Sequence, residues 1–241
     1  YETSFNEDIS NWNVSQVTNM QHMFRDAKVF NIDISNWDVS KVTDMEKMFL
    51  GAEKFNIDIS NWDVSSVINM EWMFQSAYVF DKDIGDWDVS KVTTMKAMFW
   101  DCPVFNQPLN SWDVSSVRDM EYMFRSAQLF NGDISNWNVS RVTDMEGMFR
   151  DCTMFNQEIG VWDVSTVTSM KSMFYMNPAF NRDIGDWNVS SVTNFFSMFY
   201  QAPSFNRDLS KWKTSPKLYG DDATWFESGM DGYSDHYPDD W

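Results

Sequence analysis

Glycine, proline, cysteine and histidine are all scarce in this 241-residue chain, at 9, 6, 2 and 2 residues. So little glycine excludes a collagen-like chain and the glycine-rich calcium-binding β-roll. The two histidines, His22 and His236, sit at opposite ends of the chain. With only two cysteines besides, there is no spacing suited to a structural metal and no disulfide framework. Basic residues are few as well: 18 Lys and Arg stand against 36 Asp and Glu, a formal charge of −18. A nucleic-acid partner needs a basic footprint and is excluded; an anionic membrane surface is disfavoured for the same reason. No apolar run approaches the ~20 residues that cross a bilayer, so direct membrane insertion is not expected. Aromatic residues, by contrast, make up 17% of the chain, which a disordered segment does not carry.

Those aromatics fall in strict register. Trp recurs at 12, 37, 62, 87, 112, 137, 162, 187 and 212, and Phe at 5, 30, 55, 80, 105, 130, 155, 180 and 205, a period of 25 without insertion or deletion. Valine columns start at Val14 and Val17, and Met-Phe columns at Met23 and Phe24. One turn of this length cannot bury its own apolar side chains, but stacked turns share a continuous core, so the repeat predicts a solenoid. Within a unit, residues 37–40 alternate apolar and polar and predict a short strand. Met45, Met48, Phe49 and Ala52 are spaced i, i+3, i+4, i+7 and predict a short helical turn. Asp44 and its column mates are placed to cap that turn, and Pro103, Pro178 and Pro203 to stop it.

The unit FNxDISxWDVSxVTxMxxMFxxA resembles the bacterial surface protein 26-residue repeat, a family grouped with BspA-like leucine-rich repeats. The resemblance covers roughly residues 5–215. It implies a leucine-rich-repeat-like solenoid with one short strand and one short helical turn per 25 residues. It also implies a cell-surface or secreted setting, with an organelle or assembly-bound setting left open. It implies no catalytic residues and no cofactor.

Several columns carry polar chemistry. The Asn after each Phe (Asn6, Asn31, Asn56, then Asp81, Asn106 and onward) predicts a buried asparagine ladder that satisfies turn carbonyls. Asp33, Asp58, Asp83, Asp133 and Asp183 form an acidic column that stacked charges should destabilise. Local N–H donors can relieve that repulsion, or divalent cations such as Ca²⁺ between turns. In the column after Trp, Asn13, Asn138 and Asn188 each begin an Asn-Val-Ser sequon, a candidate glycosylation site. The alternative is that Asn and Asp share one turn-bonding role there. Cys102 and Cys152 occupy the small-residue column two turns apart, about 9.5 Å by strand spacing. A disulfide needs Cα atoms within about 7 Å, so both are expected as buried free thiols.

The solenoid is expected over residues 1–216, as eight full repeats and a partial ninth. Residues 217–241 then form an acidic, aromatic cap or a partner-docking tail. The chain opens at Tyr1 in mid-pattern with no comparable cap, so more chain or a partner is expected upstream. Trp72, Trp100, Tyr122, Tyr175, Phe196 and Tyr200 break the polar pattern of the outer columns and are the candidate partner contacts. The expected function is a non-enzymatic protein-binding or adhesion scaffold. The alternatives are a self-assembling structural subunit and a calcium- or mineral-binding surface protein. Calcium is tested by melting the protein with Ca²⁺ and with Mg²⁺ at matched ionic strength. An equal, small rise with both ions is expected, as screening of a highly charged chain gives. A Ca²⁺-selective rise, lost on chelation, would establish a cation site.

Overall fold

A computed structural model describes residues 3–212; the expected tail, 217–241, lies outside them. The repeat is a solenoid in which residue i stacks on residue i+25, as parallel bridges from Asn19 to Asp44 and on to Asn194 record.

The local structure departs from strand plus helix. Among the described residues there is no helix, hence none able to cross a membrane, and extended pairing is confined to one bridge per turn. Residues 37–40 form no strand; the bridging residue is Asp44. Residues 45–52 form successive β-turns. Their N–H groups alternate in direction. Those of Met48, Leu50 and Ala52 close onto residues three back at 3.0–3.2 Å. Those of Met45, Lys47, Phe49 and Gly51 donate instead to the next turn, onto Asn69, Glu71, Met73 and Gln75 at 2.7–3.0 Å. An α-helix cannot form, because Lys47 and Gly51 hold φ of +56° and +69°. That sign at the third residue is what a type II turn requires. Apolar residues at i, i+3, i+4, i+7 suit one face of a helix and the two ends of consecutive β-turns equally well, which is why the spacing misled. Asp44 therefore heads a turn and caps no helix; its Oδ1 accepts the Glu46 N–H at 3.0 Å.

The same device recurs around the coil. Closing bonds run Trp37 N–H to Ile34 O, Val42 to Val39, Met48 to Met45, Ala52 to Phe49 and Phe55 to Ala52, at 2.9–3.1 Å. Each of these turns begins and ends on an apolar residue, and all of those residues are buried. The core is thus a bundle of homotypic columns. Phe49 stacks on Phe55 at 3.9 Å and on its column mate Phe74 at 5.6 Å. Trp112 lies parallel to Trp137 at 6.3 Å. Each buried indole also donates across turns: Trp62 Nε1 to Ile34 O at 3.2 Å, Trp112 Nε1 to Ile84 O at 2.9 Å. The Ile34 carbonyl then carries two donors, its own turn's and the next turn's.

Cys102 and Cys152 are buried and free, and their thiols donate to Phe74 O and Ala127 O. Burial pushes both thiols up, so neither is a ready nucleophile. One position in their column is polar: Asn177 is fully buried, and although Phe180 N–H donates to its Oδ1, its Nδ2 has no partner.

A mid-array tryptophan has core on both sides, whereas Trp12 is 55% exposed. Trp112→Ala should therefore cost about 3–5 kcal/mol in urea unfolding. Trp12→Ala should cost less than about 1 kcal/mol. Equal losses would contradict a stack in which each turn is held by its two neighbours.

Candidate functional site

Three Asx columns head turns, and in each the side-chain oxygen accepts the N–H two residues on. Asp33 holds Ser35 and Asp58 holds Ser60 in the first, at 3.0 Å each. Asp83, Asp133 and Asp183 hold Gly85, Ser135 and Gly185 in the same way. In the column after Trp, Asn13, Asn138 and Asn188 hold Ser15, Ser140 and Ser190 in the same geometry as Asp38 on Ser40. Asn and Asp do one job in that column, and the three sequon asparagines are exposed while doing it. The acidic column thus has its local donors. Among the described residues no three of His, Cys, Asp and Glu converge as around a metal ion.

The asparagine ladder exists, but it works in the opposite sense to expectation. Each side-chain oxygen accepts the backbone N–H of its successor, Asn31 N to Asn6 Oδ1 and Asn56 N to Asn31 Oδ1, both at 3.0 Å. The column is half-buried to exposed, and it satisfies donors where carbonyl partners were expected. An acceptor role also explains Asp81, which takes Asn106 N–H at 3.0 Å with no amide of its own.

The face made by the successive turns 45–52 and their equivalents is different in kind. Four outward columns lie on it, beginning at Gln21, His22, Arg25 and Asp26. They carry six cations (Arg25, Lys47, Lys96, Arg125, Arg150, Lys171) and seven carboxylates (Asp26, Glu46, Glu71, Asp101, Glu121, Glu146, Asp151), in a chain at −18. This face is nearly neutral on an acidic molecule. All six candidate partner contacts lie on it; Trp72, Trp100, Tyr122, Tyr175 and Tyr200 are half-buried and Phe196 is exposed. Several stack on cations: Lys47 Nζ lies 4.2 Å from the Trp72 ring centre, Arg125 Cζ 4.4 Å from Trp100, and Arg150 Cζ 4.3 Å from Tyr175. Tyr175 also stacks on Tyr200 at 4.8 Å, and Trp100 meets Tyr122 at 5.6 Å.

Gly147 lets Tyr122 lie flat here. A Cβ at Gly147 would fall 2.4 Å from the ring's Cδ1. From that position the Tyr122 hydroxyl donates to Glu146 Oε1 at 2.5 Å. Burial and Glu146 together hold the phenol well above its usual range. Glu146 is partly desolvated, yet hydrogen bonds from Tyr122 and Lys171 keep it charged and below the usual carboxylate range.

Two features escaped the sequence reading. One is a set of exposed apolar residues on another flank, Val29, Val79, Leu129 and Met154, in a single column that exposed Lys54 interrupts. Its signal was present as a column of period 25 starting at Val29, but an apolar column reads as core until the turn geometry shows it facing out. The other is the pairing of cations with aromatic rings one turn away. Residues 25 apart touch only because the turns stack.

A family described as "Mycoplasma protein of unknown function, DUF285" matches residues 1–84, 32–137 and 129–229 in overlapping copies, and the chain belongs to it. No curated protein matches.

Asp144 and Asp58 should respond to pH in opposite ways. Burial, and then the charges of Asp119, Glu121 and Glu146, hold Asp144 above the usual carboxylate value. A raised carboxyl costs stability at neutral pH, and that cost is relieved as pH falls through the folded pKa. Asp144→Asn should therefore raise stability at pH 7 by about 0.2–1 kcal/mol, the range of cross-strand pairs. Hydrogen bonds from the Ser60 backbone and side chain hold Asp58 below its usual value. Its contribution is full above the unfolded carboxylate range and is lost as pH falls through the folded pKa. Asp58→Asn keeps the acceptor, so it should leave stability at pH 7 nearly unchanged and flatten the loss below about pH 4. Urea unfolding at pH 7 and pH 3 reads both.

Proposed function

We propose that this member of a tandem-repeat family is a non-enzymatic scaffold that binds another protein along the face of successive β-turns. The observation that carries the reading is the near-neutral, aromatic-rich face just described. Trp, Tyr and Arg are the residues on which interfaces concentrate their binding energy. Here they are set at fixed intervals on a rigid stack, so little ordering entropy is lost when a partner docks. The rest of the surface is acidic and keeps the molecule soluble. A kinship with BspA-like leucine-rich repeats belongs to the same proposal. It rests on the repeat motif, the ladder of asparagines and a single bridging position per turn. A cell-surface or secreted setting follows from that kinship.

Placing a photo-crosslinking amino acid at Gln75 and, separately, at Lys91 tests the reading against material from the native source. Gln75 lies on the turn face between Leu50 and Trp100, and Lys91 lies exposed on another flank. The expected result is several-fold more crosslinked protein from Gln75, reduced by Trp100→Ala in a chain that still melts cooperatively. Equal yields from both positions would remove the turn face as the binding surface.

A further inference from the structure

Arg125 and Arg150 are like charges one turn apart in a single column. Arg125 lies over Trp100 and 5.3 Å from the centre of Tyr122, while Arg150 lies over Tyr175. Arg150 Nε meets Asp151 at 3.4 Å, but among the described residues no carboxylate comes within ion-pair distance of Arg125. Its Nε is buried without a hydrogen-bond partner. Other neighbouring cations of this face are matched: Lys96 pairs with Glu121, and Lys171 with Glu146 at 2.9 Å. Among the described residues, only Arg150 of these two arginines has an ion-pair partner, so the Arg125 guanidinium stands without direct pairing on a chain at −18. Burial and the neighbouring Arg150 both disfavour the Arg125 charge, which Asp101 and Asp151 only partly offset.

An arginine lying flat on an aromatic ring keeps its in-plane N–H edge free, and that edge matches a carboxylate. The platform also fixes the guanidinium, so less rotamer freedom is lost on binding. We propose that Arg125 and Arg150, held on Trp100 and Tyr175, receive the carboxylates of an extended acidic segment of the partner protein. That segment runs along the solenoid axis. The spacing suits it: stacked turns sit about 4.8 Å apart, and alternate side chains of an extended strand about 6.8 Å, a difference that Glu side chains span. Long polyanions fit poorly, because beyond these two arginines they meet the acidic remainder of the surface. The inference rests on the scaffold reading and names the partner's chemistry at that face.

A fluorescein-labelled nonapeptide alternating Glu and Ser is the probe, with its Lys-for-Glu counterpart as control. Both are titrated against the full chain by fluorescence anisotropy. Overall charge favours the Lys peptide, so tighter binding of the Glu peptide isolates the local cations. The expected result is that the Glu peptide binds at least tenfold more tightly, and that binding weakens from 50 to 300 mM salt. Arg125→Gln with Arg150→Gln should reduce it at least tenfold, in a variant whose melting curve shows it folded. Arg150→Lys should keep only part, because it retains charge but not the fork. Preference for the Lys peptide, no binding of the Glu peptide, or equal binding by the double variant would each overturn the proposal. So would a heparin oligosaccharide that displaces the Glu peptide and itself binds more tightly. If the Gln75 crosslinks persist while the Glu peptide is ignored, this inference falls and the scaffold reading stands; loss of both removes both.

Discussion

Backbone hydrogen bonding is divided in this protein, and the division governs the rest. Along each segment like 45–52, alternate N–H groups close a β-turn and donate to the next coil. Neither half suffices alone. Without its neighbour, a turn would leave every second donor unmet, and a buried unmet donor costs about 1–3 kcal/mol. The repeat therefore tolerates no slip: one inserted residue would reverse which N–H groups point along the axis. A period held at 25 from Phe5 to Phe205 is the sequence counterpart of that constraint.

The side chains reinforce the same register. Trp indoles donate to carbonyls one coil back, and Asn side chains accept from N–H groups one coil on. The two columns thus bind in opposite directions along the axis. Phe and Met columns fill the space between with like on like, so each coil presents the same cross-section to the next. A uniform cross-section explains the scarcity of glycine even where the backbone is left-handed. Of the described positions with φ of about +50° to +70°, only Gly51 and Gly147 are glycine, and His22, Lys47, Trp72 and Tyr122 hold the same conformation. Non-glycine residues there cost roughly 1–2 kcal/mol each. The inter-coil bonds that surround them over-determine the conformation.

A core this uniform leaves individuality to the surface. Outward columns differ in what they repeat: acids and amides that head turns on two flanks, a mostly apolar column from Val29 to Met154 broken by Lys54 on another, and cation–aromatic pairs on the turn face. The turn-heading groups spend one oxygen on the backbone, which makes them structural first. Arg125 and Arg150 lie instead on aromatic rings of the neighbouring coils, and the proposed binding surface is built on them.

From the sequence alone the repeat, its register and its buried columns were legible, because a strict period reports which positions meet the same surroundings. So were the free thiols, the shared role of Asn and Asp after Trp, and the outward placement of the six aromatics on the turn face. The local conformation was not legible: Met45, Met48, Phe49 and Ala52 satisfy helix and consecutive turns alike, and only the positive φ of Lys47 and Gly51 separates them. The sense of the asparagine ladder was hidden too, since an amide both donates and accepts. Only the tertiary structure decided that Arg125 lies on Trp100 with no carboxylate at ion-pair distance among the described residues, because residues a full coil apart in the chain become neighbours when backbone bonds stack the coils.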